Sequence, residues 1–120
     1  MPTILLIDDF DLAVETGRDY FEASGFRVLT ASGGREGFEL LRREEVDAIL
    51  TDYEMPEMTG LEIAAHAKQL KPSVPVVIYS GSAEKIDSPF VAAWLTKTTQ
   101  MNDVRLKIEE LISPTTPAAP

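Results

Sequence analysis

Apolar runs of strand length alternate with amphipathic segments of helix length about five times along this 120-residue chain, and few architectures accept that order. A strand that is followed by a helix returns to a parallel neighbour, so the alternation indicates an α/β domain built on a parallel sheet. The strand-like runs are residues 3–7, 26–30, 47–51, 76–79 and 93–96. The first helix starts near Asp11 and stops at Gly25, a residue suited to a left-handed cap. Further helices are expected over 35–43, with Phe38 and Leu41 inward, over 61–70, and over 100–112, where Val104, Ile108, Leu111 and Ile112 are apolar. The connection from 81 to 92 is the exception, because Asp87-Ser88-Pro89 interrupts it. Proline lacks an N–H and disfavours helix at the residue before it, so a shortened or distorted fourth helix is expected there.

Composition narrows the chemistry. At 13.2 kDa the chain is one ordinary domain, expected over residues 1–112, and residues 113–120 are a Pro, Thr and Ala-rich disordered tail or truncated linker. With no Cys there are no disulfides or thiolate metal sites, and the lone His66 cannot build a multi-histidine zinc site. Oxygen ligands remain. A net charge of -9 and a pI near 4.5 remove counterion release as a driving force, so direct nucleic acid binding and an anionic membrane surface are not expected. No apolar stretch approaches the roughly 20 residues of a membrane span, and Met1-Pro2-Thr3 lacks a secretion signal, so a soluble, cytoplasmic protein is expected.

The polar residues that remain conspicuous sit where strands end. Asp8 and Asp9 follow the first run, Asp52 the third, Ser80 the fourth and Lys97 the fifth. In open parallel sheets ligands bind beyond the carboxyl ends of the strands. Three acids meeting at one edge repel each other unless a cation sits among them, which points to a hard-metal site beside a reactive carboxylate. A lysine and a hydroxyl at the same edge suit a phosphoryl group. Each residue alone has an ordinary reading: Asp8 or Asp9 as a helix cap, Asp52 or Ser80-Gly81 as a turn, Lys97 and Trp94 as a surface lysine and a core aromatic. Their convergence at one end of the sheet favours a site.

With these elements in order, the sequence closely resembles the receiver domains of two-component response regulators over about residues 3–112. The matching features are Asp8-Asp9, the loop Asp52-Tyr53-Glu54-Met55-Pro56-Glu57-Met58-Thr59-Gly60, Ser80 and Lys97. The resemblance implies a flavodoxin-like, doubly wound, five-stranded parallel sheet of order 2-1-3-4-5. It implies Asp52 as phosphoacceptor from a sensor histidine kinase or histidine phosphotransfer protein. It further implies Mg²⁺ held by Asp8, Asp9, Asp52 and the backbone carbonyl of Glu54, with Ser80 and Lys97 on the phosphoryl group. Ser80 and Trp94 would form the switch, with Trp94 bulkier than the family's usual Tyr or Phe. Such a module changes a protein-protein surface and is not an enzyme acting on a separate substrate. It either stands alone or belongs to a longer regulator or hybrid kinase.

Two features depart from the family pattern. Thr98 follows Lys97 where proline, often after a cis bond, is usual; a non-proline cis bond costs about 2.5–4 kcal/mol, so the direction of Lys97 is open. The connection after Ser80 is several residues short, so the output surface is expected to be remodelled. Glu54 and Ser82 fall where water could approach an acyl phosphate. Two other functions stay open at this point: an Mg²⁺-dependent phosphatase with an Asp nucleophile, for which Asp9-Phe10-Asp11 has the right spacing, and a phosphorylation-independent adaptor with a vestigial site. Neither a GxGxxG nor a P-loop signature is present.

Overall fold

A computed structural model describes residues 1–81 and 86–112; Ser82 and the tail at 113–120 lie outside the described residues. The elements follow in the order β1 (Thr3–Ile7), α1 (Asp11–Ala23), β2 (Arg27–Ala31), α2 (Gly34–Arg43), β3 (Ala48–Thr51), α3 (Gly60–Leu70), β4 (Val76–Ser80), β5 (Ala93–Thr96) and α4 (Met101–Ile112). All strand pairs are parallel, and the order is β2-β1-β3-β4-β5. This is the flavodoxin-like arrangement expected from the sequence.

Alternation along the strands divides the core in two. Leu5, Ile7, Ile49 and Val76 pack with Phe38, Leu41, Ile63, Ala64 and Ala67 of α2 and α3. Ile4, Leu6, Leu50 and Val77 pack on the other face with Phe21 of α1 and with Val104 and Ile108 of α4. Burying one large aliphatic side chain stabilises by about 1.5–3 kcal/mol, and a one-residue slip would turn each strand inside out, so these contacts fix the register. In that register Ile7 lies opposite Ala31 and Thr51, Thr51 opposite Ile78, and Ser80 opposite Thr96. The strands therefore end near one level.

β2 begins one residue later than the sequence suggests. Gly25 adopts φ 96°, and the N–H groups of Gly25 and Phe26 return to the carbonyls of Glu22 and Phe21 at 3.1 and 3.0 Å. This closes α1 with a Schellman-type cap. The Phe26 amide is thereby committed to the helix, and its ring packs edge-on against Phe21 with centroids 5.4 Å apart.

The connection from β4 to β5 carries no helix among its described residues. Pro89 and Phe90 form a turn, with the Phe90 N–H donating to Ser88 Oγ at 3.1 Å. Ile86 and Phe90 are exposed beside it. The Lys97-Thr98 bond is trans, as are all the described peptide bonds, so the missing proline brings no cis strain.

Candidate functional site

Backbone hydrogen bonds carry the sheet one step past the strands and set the residues that follow. The Asp8 N–H donates to Ala31 O at 3.1 Å, the Asp52 N–H to Ile7 O at 3.0 Å, and the Lys97 N–H to Ser80 O at 2.7 Å. Asp8, Asp9 and Asp52 consequently meet: each offers a carboxylate oxygen within 4.8 Å of the others. Asp8 is buried, Asp52 half-buried and Asp9 exposed, so the cluster opens to solvent on one side.

The cluster is internally braced. Asp8 Oδ1 accepts the Phe10 N–H at 3.0 Å, and Asp8 Oδ2 pairs with Lys97 Nζ at 3.3 Å. Asp8 thus spans the turn into α1 and does not cap it; the helix N-cap is Phe10, without a side-chain hydrogen bond. Asp52 Oδ1 accepts the Tyr53 N–H at 2.8 Å. Burial pushes the Asp52 carboxyl above its usual range and the charge of Asp8 pushes it further, while Lys97 and the Tyr53 N–H pull it down and Asp9 adds a smaller push up. Hard oxygen donors that repel each other at this spacing fit a small divalent cation, which would reverse the sign of the local field.

The loop after Asp52 is anchored by glycine. The Gly60 N–H donates to Tyr53 O at 2.7 Å, and a Cβ on Gly60 would stand 2.8 Å from the Asp52 carbonyl oxygen. α3 then starts with a capping box, Thr59 Oγ1 accepting the Glu62 N–H and Glu62 returning to the Thr59 N–H. Glu54, two residues after Asp52, has an exposed side chain.

Lys97 is 35% exposed at its side chain, and its ammonium lies over the Tyr79 ring, 5.2 Å from the centroid. Ser80 is buried at the end of β4. Trp94 is buried on β5 against the ring of Tyr53. Its Nε1 has no hydrogen-bond partner among the described residues. His66 is on the exposed side of α3, against Phe38 and away from the cluster. The sequence pointed to the acids, the lysine and the hydroxyl, but Tyr53 and Tyr79 escaped notice. The signal for Tyr79 was available: alternation on β4 sends it to the face opposite Ser80, next to the strand that ends at Lys97.

Comparison with known proteins agrees with this fold. A family described as the response regulator receiver domain matches residues 4–107, and the chain belongs to that family. It is 28% identical to the transcriptional regulatory protein GlrR of Escherichia coli K12, over 96% of this chain and 27% of that protein. It is 31% identical to the autoinducer 1 sensor kinase/phosphatase LuxN of Vibrio campbellii, over 87% of this chain and 13% of that protein. The chain thus spans roughly a quarter or less of these relatives. A CheY-like receiver domain from Methanospirillum hungatei JF-1 superposes with a TM-score of 0.87 at 25% identity, covering 94% of each chain.

The chain is therefore a receiver domain of the kind found in two-component response regulators, consistent with phosphoacceptor signalling, and the phosphatase and adaptor alternatives are not favoured. Receiver domains take phosphoryl groups from histidine kinases and generally bind Mg²⁺ at an acidic cluster such as this one. Among the described residues no helix is long and apolar enough to cross a membrane.

Proposed function

We propose that Asp52 is the phosphoacceptor, that Asp8, Asp9, Asp52 and the Glu54 carbonyl hold Mg²⁺, and that Lys97 and Ser80 engage the phosphoryl group. The observation that carries this reading is the meeting of three carboxylates within 4.8 Å with Lys97 at 3.3 Å from the most buried of them. A phosphohistidine on a sensor kinase or phosphotransfer protein is the donor. An oxygen of Asp52 attacks phosphorus, the O–P bond forms as the N–P bond breaks, and the imidazole nitrogen leaves with the electron pair.

The residues divide the work. The Tyr53 N–H holds one Asp52 oxygen and so fixes the plane of the carboxylate. Lys97 is a positive charge already paired with Asp8, ready to be shared with the incoming phosphoryl oxygens. Bound Mg²⁺ supplies charge neutralisation for acids and phosphoryl oxygens together. Ser80 stands on β4 between the two strands that deliver Asp52 and Lys97, where its hydroxyl can contribute to a phosphoryl oxygen. Acting on its own aspartate, the domain turns over no separate substrate. Its output is a changed protein-binding surface.

Incubation with Mg²⁺ and acetyl phosphate, followed by intact mass measurement, tests the reading. A single phosphate adduct on the wild-type protein, absent from Asp52→Asn, is expected. An adduct that survives in Asp52→Asn would place the acceptor elsewhere.

A further inference from the structure

The lysine at the site has no proline after it to stiffen its loop, yet the structure holds that loop from the neighbouring strand. Tyr79 projects from β4 to the face shared with α1 and α4. Its ring lies beneath the Lys97 ammonium at 5.2 Å, and its hydroxyl donates to the Thr99 carbonyl at 3.0 Å. One side chain thus touches the charged end of Lys97 and, two residues on, the backbone of the loop that carries it. The other ties on this loop are short: Lys97 N–H to Ser80 O, Thr99 N–H to Thr96 O, and a hydroxyl contact of 2.6 Å between Thr96 and Thr98. None of these restrains the lysine stem beyond its backbone; among the described residues its charged end meets the Asp8 carboxylate, 3.3 Å from Nζ, besides the Tyr79 ring.

We propose that Tyr79 is the positioning residue of Lys97. Its ring keeps the ammonium at the rim beside Asp8, and its hydroxyl keeps the Lys97–Thr99 turn against β4. The physical basis is twofold. A flexible four-carbon stem with a point charge gains direction from an aromatic face, which attracts the cation by its quadrupole. The ring does not compete for the charge as a second carboxylate would, so the ammonium stays free to be shared with a phosphoryl group. The proposal rests on the reading of Lys97 as the phosphoryl-binding lysine, and concerns how this chain orients it.

The test compares Asp52 phosphorylation rates by acetyl phosphate with Mg²⁺ in wild type, Tyr79→Phe, Tyr79→Leu, Lys97→Met and the Tyr79→Leu/Lys97→Met pair. Tyr79→Leu is expected to slow phosphorylation about two- to five-fold, the range a partly exposed cation–π contact allows. Tyr79→Phe, which keeps the ring, is expected to retain most of the rate. In the Lys97→Met background Tyr79→Leu should cost nothing further; equal slowing in both backgrounds would reduce Tyr79 to general packing and overturn the proposal.

A second readout does not depend on phosphorylation. The Lys97 ε-protons should be ring-shifted upfield in the NMR spectra of wild type and Tyr79→Phe and return to ordinary lysine positions in Tyr79→Leu. Ordinary positions in the wild type itself would refute the placement even if Tyr79→Leu fails to fold. If wild type forms no adduct on Asp52, it is the phosphoacceptor reading that fails, and the proton shifts still decide the contact.

Discussion

Tyr53 and Trp94 lie ring against ring, with centroids 5.3 Å apart and planes inclined at 42°, joining the residue after Asp52 to the edge strand β5. The same Tyr53 donates its N–H to Asp52 Oδ1, so a change at that carboxylate reaches the indole through one residue. Phosphorylation can shift a conformational equilibrium only through contacts that differ between its states, and this pair offers such contacts. It runs alongside Ser80, which stands on β4 between the strands of Asp52 and Trp94.

Indole fluorescence should therefore change when Mg²⁺ and a non-transferable phosphoryl analogue bind. Tyr53→Leu should blunt that response while leaving Asp52 open to phosphorylation, and should cost about 0.5–1.5 kcal/mol of stability for the lost aromatic pair. Emission that stays constant while binding is demonstrated by calorimetry would remove Trp94 from the switch.

Gly60 provides a test of how tightly the site is braced. An added Cβ would stand 2.8 Å from the Asp52 carbonyl oxygen and 3.2 Å from both Ile78 Cδ1 and Tyr53 Cα, and the backbone atoms among these cannot swing aside. Gly60→Ala is expected to cost about 1–3 kcal/mol and also to slow phosphorylation, because the loop holding Asp52 must move. Thr59→Ala removes the neighbouring capping box and should cost about 1 kcal/mol, with the phosphorylation rate kept. Denaturation midpoints and adduct rates for the two variants separate the effects. Wild-type behaviour of Gly60→Ala in both would mean the close approach constrains nothing.

These contrasts also indicate what could be read in the sequence. The elements were legible because the central strands β1 and β3 are short apolar runs buried on both faces, as for Leu5 on one side and Leu50 on the other, which are 0 and 1% exposed. The acids were legible because each ends such a run. Boundaries were less so: β2 is an edge strand with an exposed Arg27, and nothing in its composition says that the Phe26 amide is taken by the α1 cap. Lys97 was identified, but its pairing with Asp8 depends on the turn geometry at both strand ends, which the residue order does not encode. Tyr53 and Tyr79 were not singled out because their contacts, with Trp94 and with Lys97, arise between strands. For the connection after Ser80 the sequence suggests a shortened or distorted helix, whereas the described residues of that segment hold none, with Pro89 in a turn.

The raised Asp52 carboxyl carries a definite signature in the pH dependence of stability. Burial is the larger cause and Asp8 the next, so the folded state binds the Asp52 proton more tightly than the unfolded chain, whose value is near 3.8. Between that value and the folded one, the native state holds more protons, and stability falls as pH rises through the window. Above it the full penalty is present; below 3.8 it is gone. Asp52→Asn should therefore be more stable than wild type at pH 7, by a small margin because the half-exposed carboxylate keeps part of its hydration, and the advantage should shrink as pH falls toward 4. Mg²⁺ at ten times its dissociation constant should raise wild-type stability by about 1.4 kcal/mol, and far less in Asp52→Asn, which lacks one of the three charges. Urea midpoints at pH 7 and pH 4, with and without Mg²⁺, measure all of this. A variant less stable than wild type at pH 7 without metal would show that burial and the neighbouring acids, whose oxygens approach within 4.8 Å, do not disfavour the Asp52 charge in solution.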